Sequence, residues 1–178
     1  MVVAHPDIDA AVGLFGGTFD PPHVGHLALA RAAQQALSLS EVRFMPAGKP
    51  WQKARALTDG AHRAAMVSAA IAGHTSWRLD KFELSQTGST YTIDTLKSLY
   101  EESPRTALVL LLGADQFLNL PTWRDWQQLT DYAHLAVAGR PGYDLDAARW
   151  SPALREFAEP KLAVSTVIAQ RAGTPLST

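Results

Sequence analysis

The chain carries 16 basic and 17 acidic side chains in 178 residues, a net charge of −1, and no cysteine. That length suits one domain with a proper core, and balanced charge gives no general pull on nucleic acid or an anionic membrane. The missing thiols remove disulfides, thiolate zinc sites and a cysteine nucleophile together.

Met1 to Ala10, with His5, Pro6, Asp7 and Asp9, lacks the basic and apolar regions of a signal peptide. No apolar run approaches the roughly 20 residues that span a bilayer. Residues 1–10 therefore read as an N-terminal extension and 11–178 as the domain itself. The protein is expected in the cytoplasm, away from membranes and nucleic acid polymers. Apolar runs predict strands at Ala11–Phe15, Glu41–Met45, Trp77–Leu84, Ala107–Leu112, His134–Ala138 and Lys161–Ile168. Helices are predicted between them at Val24–Leu37, Ala61–Ile71, Thr92–Tyr100, Trp123–Thr130 and Ala147–Phe157. Such alternation argues for an α/β fold, a Rossmann-like, doubly wound parallel sheet. Leu108 to Leu112 is unbroken apolar sequence, as a central strand covered on both faces requires. Ligands of these sheets bind beyond the carboxyl ends of the strands. The turn-rich segment 46–59, with Lys49, Lys53 and Arg55, reads as a surface loop near that end.

Residues 16–26 read Gly-Gly-Thr-Phe-Asp-Pro-Pro-His-Val-Gly-His, between the first strand and the first helix. Glycines let main-chain N–H groups approach an anion, and the helix start adds unpaired donors with a favourable dipole. His23 and His26 are three apart, so on one helical turn they share a face and can grip one polyphosphate. A zinc site on these two would need further ligands that no pattern supplies. Two common phosphate motifs are absent. Gly13, Gly16 and Gly17 do not make Gly-x-Gly-x-x-Gly, and Gly48-Lys49 is followed by Pro50, which breaks a Walker A reading.

The whole segment resembles the signature of the His-x-x-His nucleotidyltransferases, in the form found in bacterial nicotinate-nucleotide adenylyltransferases. The resemblance continues through Ser89-Thr90-Tyr91-Thr92, through Gly113-Ala114-Asp115 to Trp126, and into Arg140-Pro141-Gly142. It implies adenylyl transfer from ATP to nicotinate mononucleotide, with Mg²⁺ carried by the substrate phosphates. By that resemblance His23, His26 and Lys53 serve the chemistry, and Gly16, Gly17, Thr18, Phe19, Gly113, Asp115 and Arg140 hold the nucleotide. Tyr91 and Thr92 hold the nicotinate part, and Trp123 stacks on the pyridine ring.

Each assignment has a plainer alternative. The hydroxyls at 89–92 and the Asp115 carboxylate are also good helix caps. Lys53 and Arg140 also suit solvated loop positions, and paired tryptophans at helical spacing are often core, the reading given to Trp126. Preference for the acid over the amide mononucleotide rests on resemblance alone. The sequence also departs from the family. Ser165-Thr166-Val167-Ile168 matches the family's C-terminal Ile-Ser-Ser-Thr-x-Ile-Arg element only superficially, because Arg171 falls two places late. The C-terminal helical element is therefore expected to be missing, and Gln86 stands where an arginine is common. Two alternatives stay open: a sister transferase acting on a phosphopantetheine or cytidylyl acceptor, and a nucleotide-binding module without turnover. Oligomeric state is not legible.

Overall fold

A strand whose residues are all apolar needs cover on both faces, and the strand at Thr106–Gly113 has it: Ala107 to Leu112 are buried without a break. It is β4 of a parallel sheet whose other strands are β1 (Ala10–Gly17), β2 (Glu41–Pro46), β3 (Trp77–Leu79) and β5 (His134–Ala138). The spatial order is β3-β2-β1-β4-β5. The computed structural model describes residues 9–49, 57–139 and 145–158.

Strand alternation sorts the core into two layers. Leu108, Leu110 and Leu112 share one side with Val12 and Leu14 of β1. They pack there against α4 (Thr92–Glu102) through Ile93, Leu96 and Leu99, and against α7 (Pro152–Ala158) through Leu154 and Phe157. Val109 and Leu111 face the other side, with Phe15, Val42 and Phe44. That side is covered by α1 (Val24–Leu37) through Ala30 and Ala33, and by α2 (Gly60–Ile71) through Val67 and Ile71. Small alanines on α1 let the helix lie close to the sheet. Among the described residues no helix is long and apolar enough to cross a membrane.

The α/β fold, its parallel sheet and five of the predicted strand positions are as expected, with three corrections. Strand Trp77–Leu84 ends at Leu79, because Asp80 Oδ1 accepts the Phe82 N–H at 2.8 Å and starts the short helix α3 (Phe82–Ser85). Helix Trp123–Thr130 does not form. Trp123 is extended and Asp125 adopts a left-handed φ of 48°, so regular structure resumes only as a 3₁₀ turn at Trp126–Gln128 and as α6 (Leu129–Tyr132). Helix Ala147–Phe157 is split at an extended Trp150, and Pro152 begins α7, where its missing N–H costs nothing. The predicted strand Lys161–Ile168 lies outside the described residues.

Candidate active site

β1 and β4 are neighbours, paired from Ala10↔Thr106 to Leu14↔Leu110; beyond that point β1 runs on to Gly17 along β2 and β4 to Gly113 along β5. The sheet order changes direction between them, with β2 and β3 to one side of β1 and β4 and β5 to the other. A switch point of this kind opens a crevice for ligands. The turn from β1 into α1, and the short helix α5 (Ala114–Leu118), both leave from these two strand ends.

The first turn is a main-chain anion site in form. Gly16 is exposed, with open space where a Cβ would sit. The N–H groups of Thr18 and Phe19 make no hydrogen bond among the described residues. Phe19 holds a left-handed φ of 48°, unfavourable for a residue with a side chain. Its buried ring keeps it there, 5.6 Å from Phe15, 5.8 Å from Phe44 and 5.0 Å from His26.

His23 is the N-cap residue of α1, and His26 stands one turn further in. Their rings stack, with centroids 3.7 Å apart and planes inclined by 26°. The His23 main-chain N–H donates to Nδ1 of His26 at 3.1 Å. A ring nitrogen that accepts carries no proton, so a neutral His26 keeps its proton on Nε2, which becomes a donor. His23 is exposed and His26 half-buried.

Asp115 lies in the first turn of α5, but Gly113, not Asp115, is the N-cap residue. Its carboxylate folds back over that glycine, where a Cβ would lie only 2.7 Å from Oδ1. Oδ2 accepts from Gln116 Nε2 at 3.2 Å and leaves further lone pairs for a hydroxyl. Tyr91 is the N-cap residue of α4 and Thr92 its first residue, and no side chain caps that helix start. Trp123 is half-buried and, like Tyr91 and Phe82, packs against the Leu110–Leu112 side of the core. Its indole N–H is buried without an acceptor among the described residues. Trp126 is core, edge-on to Phe157 at 4.8 Å. Lys53 and Arg140 lie outside the described residues.

Three residues near these elements were not singled out from the sequence. Arg63 of α2 is 2 % exposed and donates to the carbonyls of Thr18, Thr58 and Gly48. Its spacing with Val67 and Ile71 places it on the inward face of α2, although the sequence does not say which groups meet it there. Glu83 of α3 accepts from the Thr95 hydroxyl at 3.1 Å. Burial pushes its carboxyl above the usual range, against the hydroxyl and the Gly48 amide, which favour the charged form. Arg124 lies 4.7 Å over the Tyr91 ring, with Nη1 3.6 Å from Asp94, and so pins the Trp123 segment to the start of α4.

Residues 14–174 match the cytidylyltransferase-like family model. A probable nicotinate-nucleotide adenylyltransferase of Bordetella petrii is 45% identical over 148 residues, 81% of this chain and 74% of that protein. The chain belongs to the nicotinate-nucleotide adenylyltransferase family. A relative of the same name in Methylibium petroleiphilum is 50% identical over 131 residues, 74% of this chain and 62% of that protein. The chain thus spans less than two thirds of the length of that relative. The fold matches the Plasmodium falciparum nicotinic acid mononucleotide adenylyltransferase complexed with NaAD, with a TM-score of 0.75 at 18% identity. That match covers 93% of this chain and 77% of the other. In this fold the glycine turn and the stacked histidine pair follow β1, and Asp115 follows β4.

Proposed function

We propose that this chain transfers the adenylyl group of ATP to nicotinate mononucleotide, giving nicotinate adenine dinucleotide and pyrophosphate. The observation that carries the reading is the stacked His23–His26 pair beside an open main-chain turn at the β1/β4 switch point. The names of the relatives supply the acceptor.

The chemistry asks little of the protein beyond alignment and charge. A phosphate oxygen of the mononucleotide, already ionised at neutral pH, attacks the α-phosphorus. The bond from that phosphorus to the bridging oxygen breaks, and pyrophosphate leaves. No side-chain nucleophile or strong base is needed. The Thr18 and Phe19 N–H groups meet the triphosphate, and His26 Nε2–H with His23 stabilises charge as it builds on the α-phosphate and the leaving group. Lys53 and Arg140 add cationic charge to the same phosphates. Asp115 accepts from ribose hydroxyls, while Tyr91, Thr92 and Trp123 hold the nicotinate end. Mg²⁺ is typically bound through substrate phosphates and water, and a site of N–H donors and imidazoles at the strand ends fits an ion carried in that way. When bound, the ion would neutralise charge on the phosphates.

The test is pyrophosphate release from ATP with nicotinate mononucleotide, nicotinamide mononucleotide, phosphopantetheine and cytidylyl acceptors in parallel. Turnover with nicotinate mononucleotide above the others supports the reading. Turnover with another acceptor only, or ATP binding with no release under any, overturns it.

A further inference from the structure

Arg63 is a charged residue in an inward position, and its partners explain why. Nε donates to the Thr58 carbonyl at 2.9 Å, Nη1 to that of Thr18 at 2.9 Å, and Nη2 to that of Gly48 at 3.5 Å. Among the described residues no carboxylate pairs with it. A buried cation is costly unless its donors are satisfied, and here the acceptors come from separate stretches of chain: the β1–α1 turn, the end of β2, and the approach to α2. A planar fork can hold several carbonyls in a fixed relation; a lysine ammonium, a compact point on a flexible stem, cannot reproduce that. A second bond parallels the first, since the Thr58 N–H donates to Asp20 Oδ2 at 3.0 Å. The main chain at Thr58 is therefore tied to the same turn through both its N–H and, by way of Arg63, its C=O.

The bond to Thr18 matters most. The Thr18 carbonyl and the Phe19 N–H belong to one peptide plane. A charged donor on the oxygen draws electron density toward it and makes the N–H at the other end a stronger donor. That N–H is one of the two unpartnered donors of the turn. The same bond also holds the plane against the left-handed φ of Phe19.

We infer that Arg63 is a positioning residue for adenylyl transfer, which fixes and polarises the Thr18–Phe19 peptide from inside the protein so that its N–H meets the substrate phosphates. The inference rests on the adenylyl-transfer reading. It calls for no contact between Arg63 and substrate.

The full chain is compared with Arg63→Lys, Arg63→Met and Arg63→Ala. In the first two, kcat/KM for ATP falls about 10–100-fold while the KM for nicotinate mononucleotide stays within about twofold, the scale for misplacing a reacting group by up to about an ångström. Arg63 lines a groove of about 630 Å³ bordered by Gly48, Lys81 and Leu84, which gives a small planar cation a way in. Dilute guanidinium chloride therefore restores part of the activity of Arg63→Ala, and sodium chloride at the same strength does not. Retained ATP kinetics in Arg63→Met would overturn the inference. So would an equal loss for both substrates that tracks a fall in Tm and shows no guanidinium recovery. If Arg63→Met does not fold, Arg63→Lys decides alone. If the unaltered chain turns over no mononucleotide, the reading fails first. The inference is then judged by calorimetric titration with ATP, which must weaken about tenfold or more in Arg63→Lys.

Discussion

On the adenylyl-transfer reading, the two ends of the proposed site are built from different materials. At the phosphate end, the Gly16–Phe19 turn presents main-chain N–H groups, and its shape is set from behind by Phe19, Arg63 and the Asp20–Thr58 bond. At the aromatic end, Trp123 and Tyr91 are side chains on separate segments that pack against the same core, with Arg124 lying over the Tyr91 ring. A polyphosphate looks alike in every nucleotide, so a rigid backbone mould serves it. A pyridine ring offers a flat face and needs a surface placed opposite, which two separate chain segments can adjust. Precision is thus expected at the first end, and tolerance at the second.

The largest effect should come from the rigid end. His26→Ala removes the Nε2–H donor and the acceptor of the His23 N–H together. Turnover should fall by roughly 10²-fold or more, about 3 kcal/mol, the scale for one oriented transition-state donor. Steady-state kcat checks it, and an unchanged value removes His26 from the mechanism.

Next comes the joint between the ends. A Cβ on Gly48 would clash with the Glu83 main-chain oxygen, so Gly48→Ala has to move either the end of β2 or α3. Overpacking of this kind costs about 1–3 kcal/mol. The loss should appear as a lower midpoint in urea with an unchanged slope. A midpoint equal to that of the unaltered chain shows that α3 yields without cost.

How far the sequence could be read follows the same division. The phosphate end is contiguous: strand, glycine turn, His23 and His26 stand in one stretch, and the local rules for turns and helix starts apply to it directly. The Trp123–Trp126 spacing suggested a helix, and tertiary packing overrode it. Asp125 takes a left-handed backbone, Trp126 turns into the core as expected of it, and Trp123 stays half-exposed, with its stacking role a proposal. Trp77–Leu84 misled in the same way, because its apolar residues serve an edge strand and then a helical turn. Arg63 and Glu83 were overlooked for another reason. Their partners, Thr18 and Thr95, are 45 and 12 positions away, and no periodicity announces a contact at such range.

Trp123→Ala tests the tolerant end. Loss of a stacking face is worth about 1 kcal/mol, roughly a fivefold rise in the KM for the mononucleotide, with kcat little changed. ATP kinetics should not move. An unchanged mononucleotide KM defeats the stacking assignment, and a fall in kcat as large as that of His26→Ala erases the contrast between the two ends.

The smallest effect tests the joint by pH. Burial raises the Glu83 carboxyl above the 4.5 of an ordinary glutamate, despite the Thr95 hydroxyl and the Gly48 amide. The folded protein therefore holds this proton over a range where the unfolded chain has released it. The stability it adds is fully present below the unfolded value and is lost as pH rises through the folded one. Glu83→Gln still accepts from Thr95 but no longer titrates. Its Tm relative to the unaltered chain should climb as pH rises from 4 to 7, as the charged carboxylate begins to cost the original. Thermal melts across that range read it directly. A difference that stays flat would mean Glu83 sits in the folded protein much as it does in water, and α3 would then be a looser joint than its packing implies.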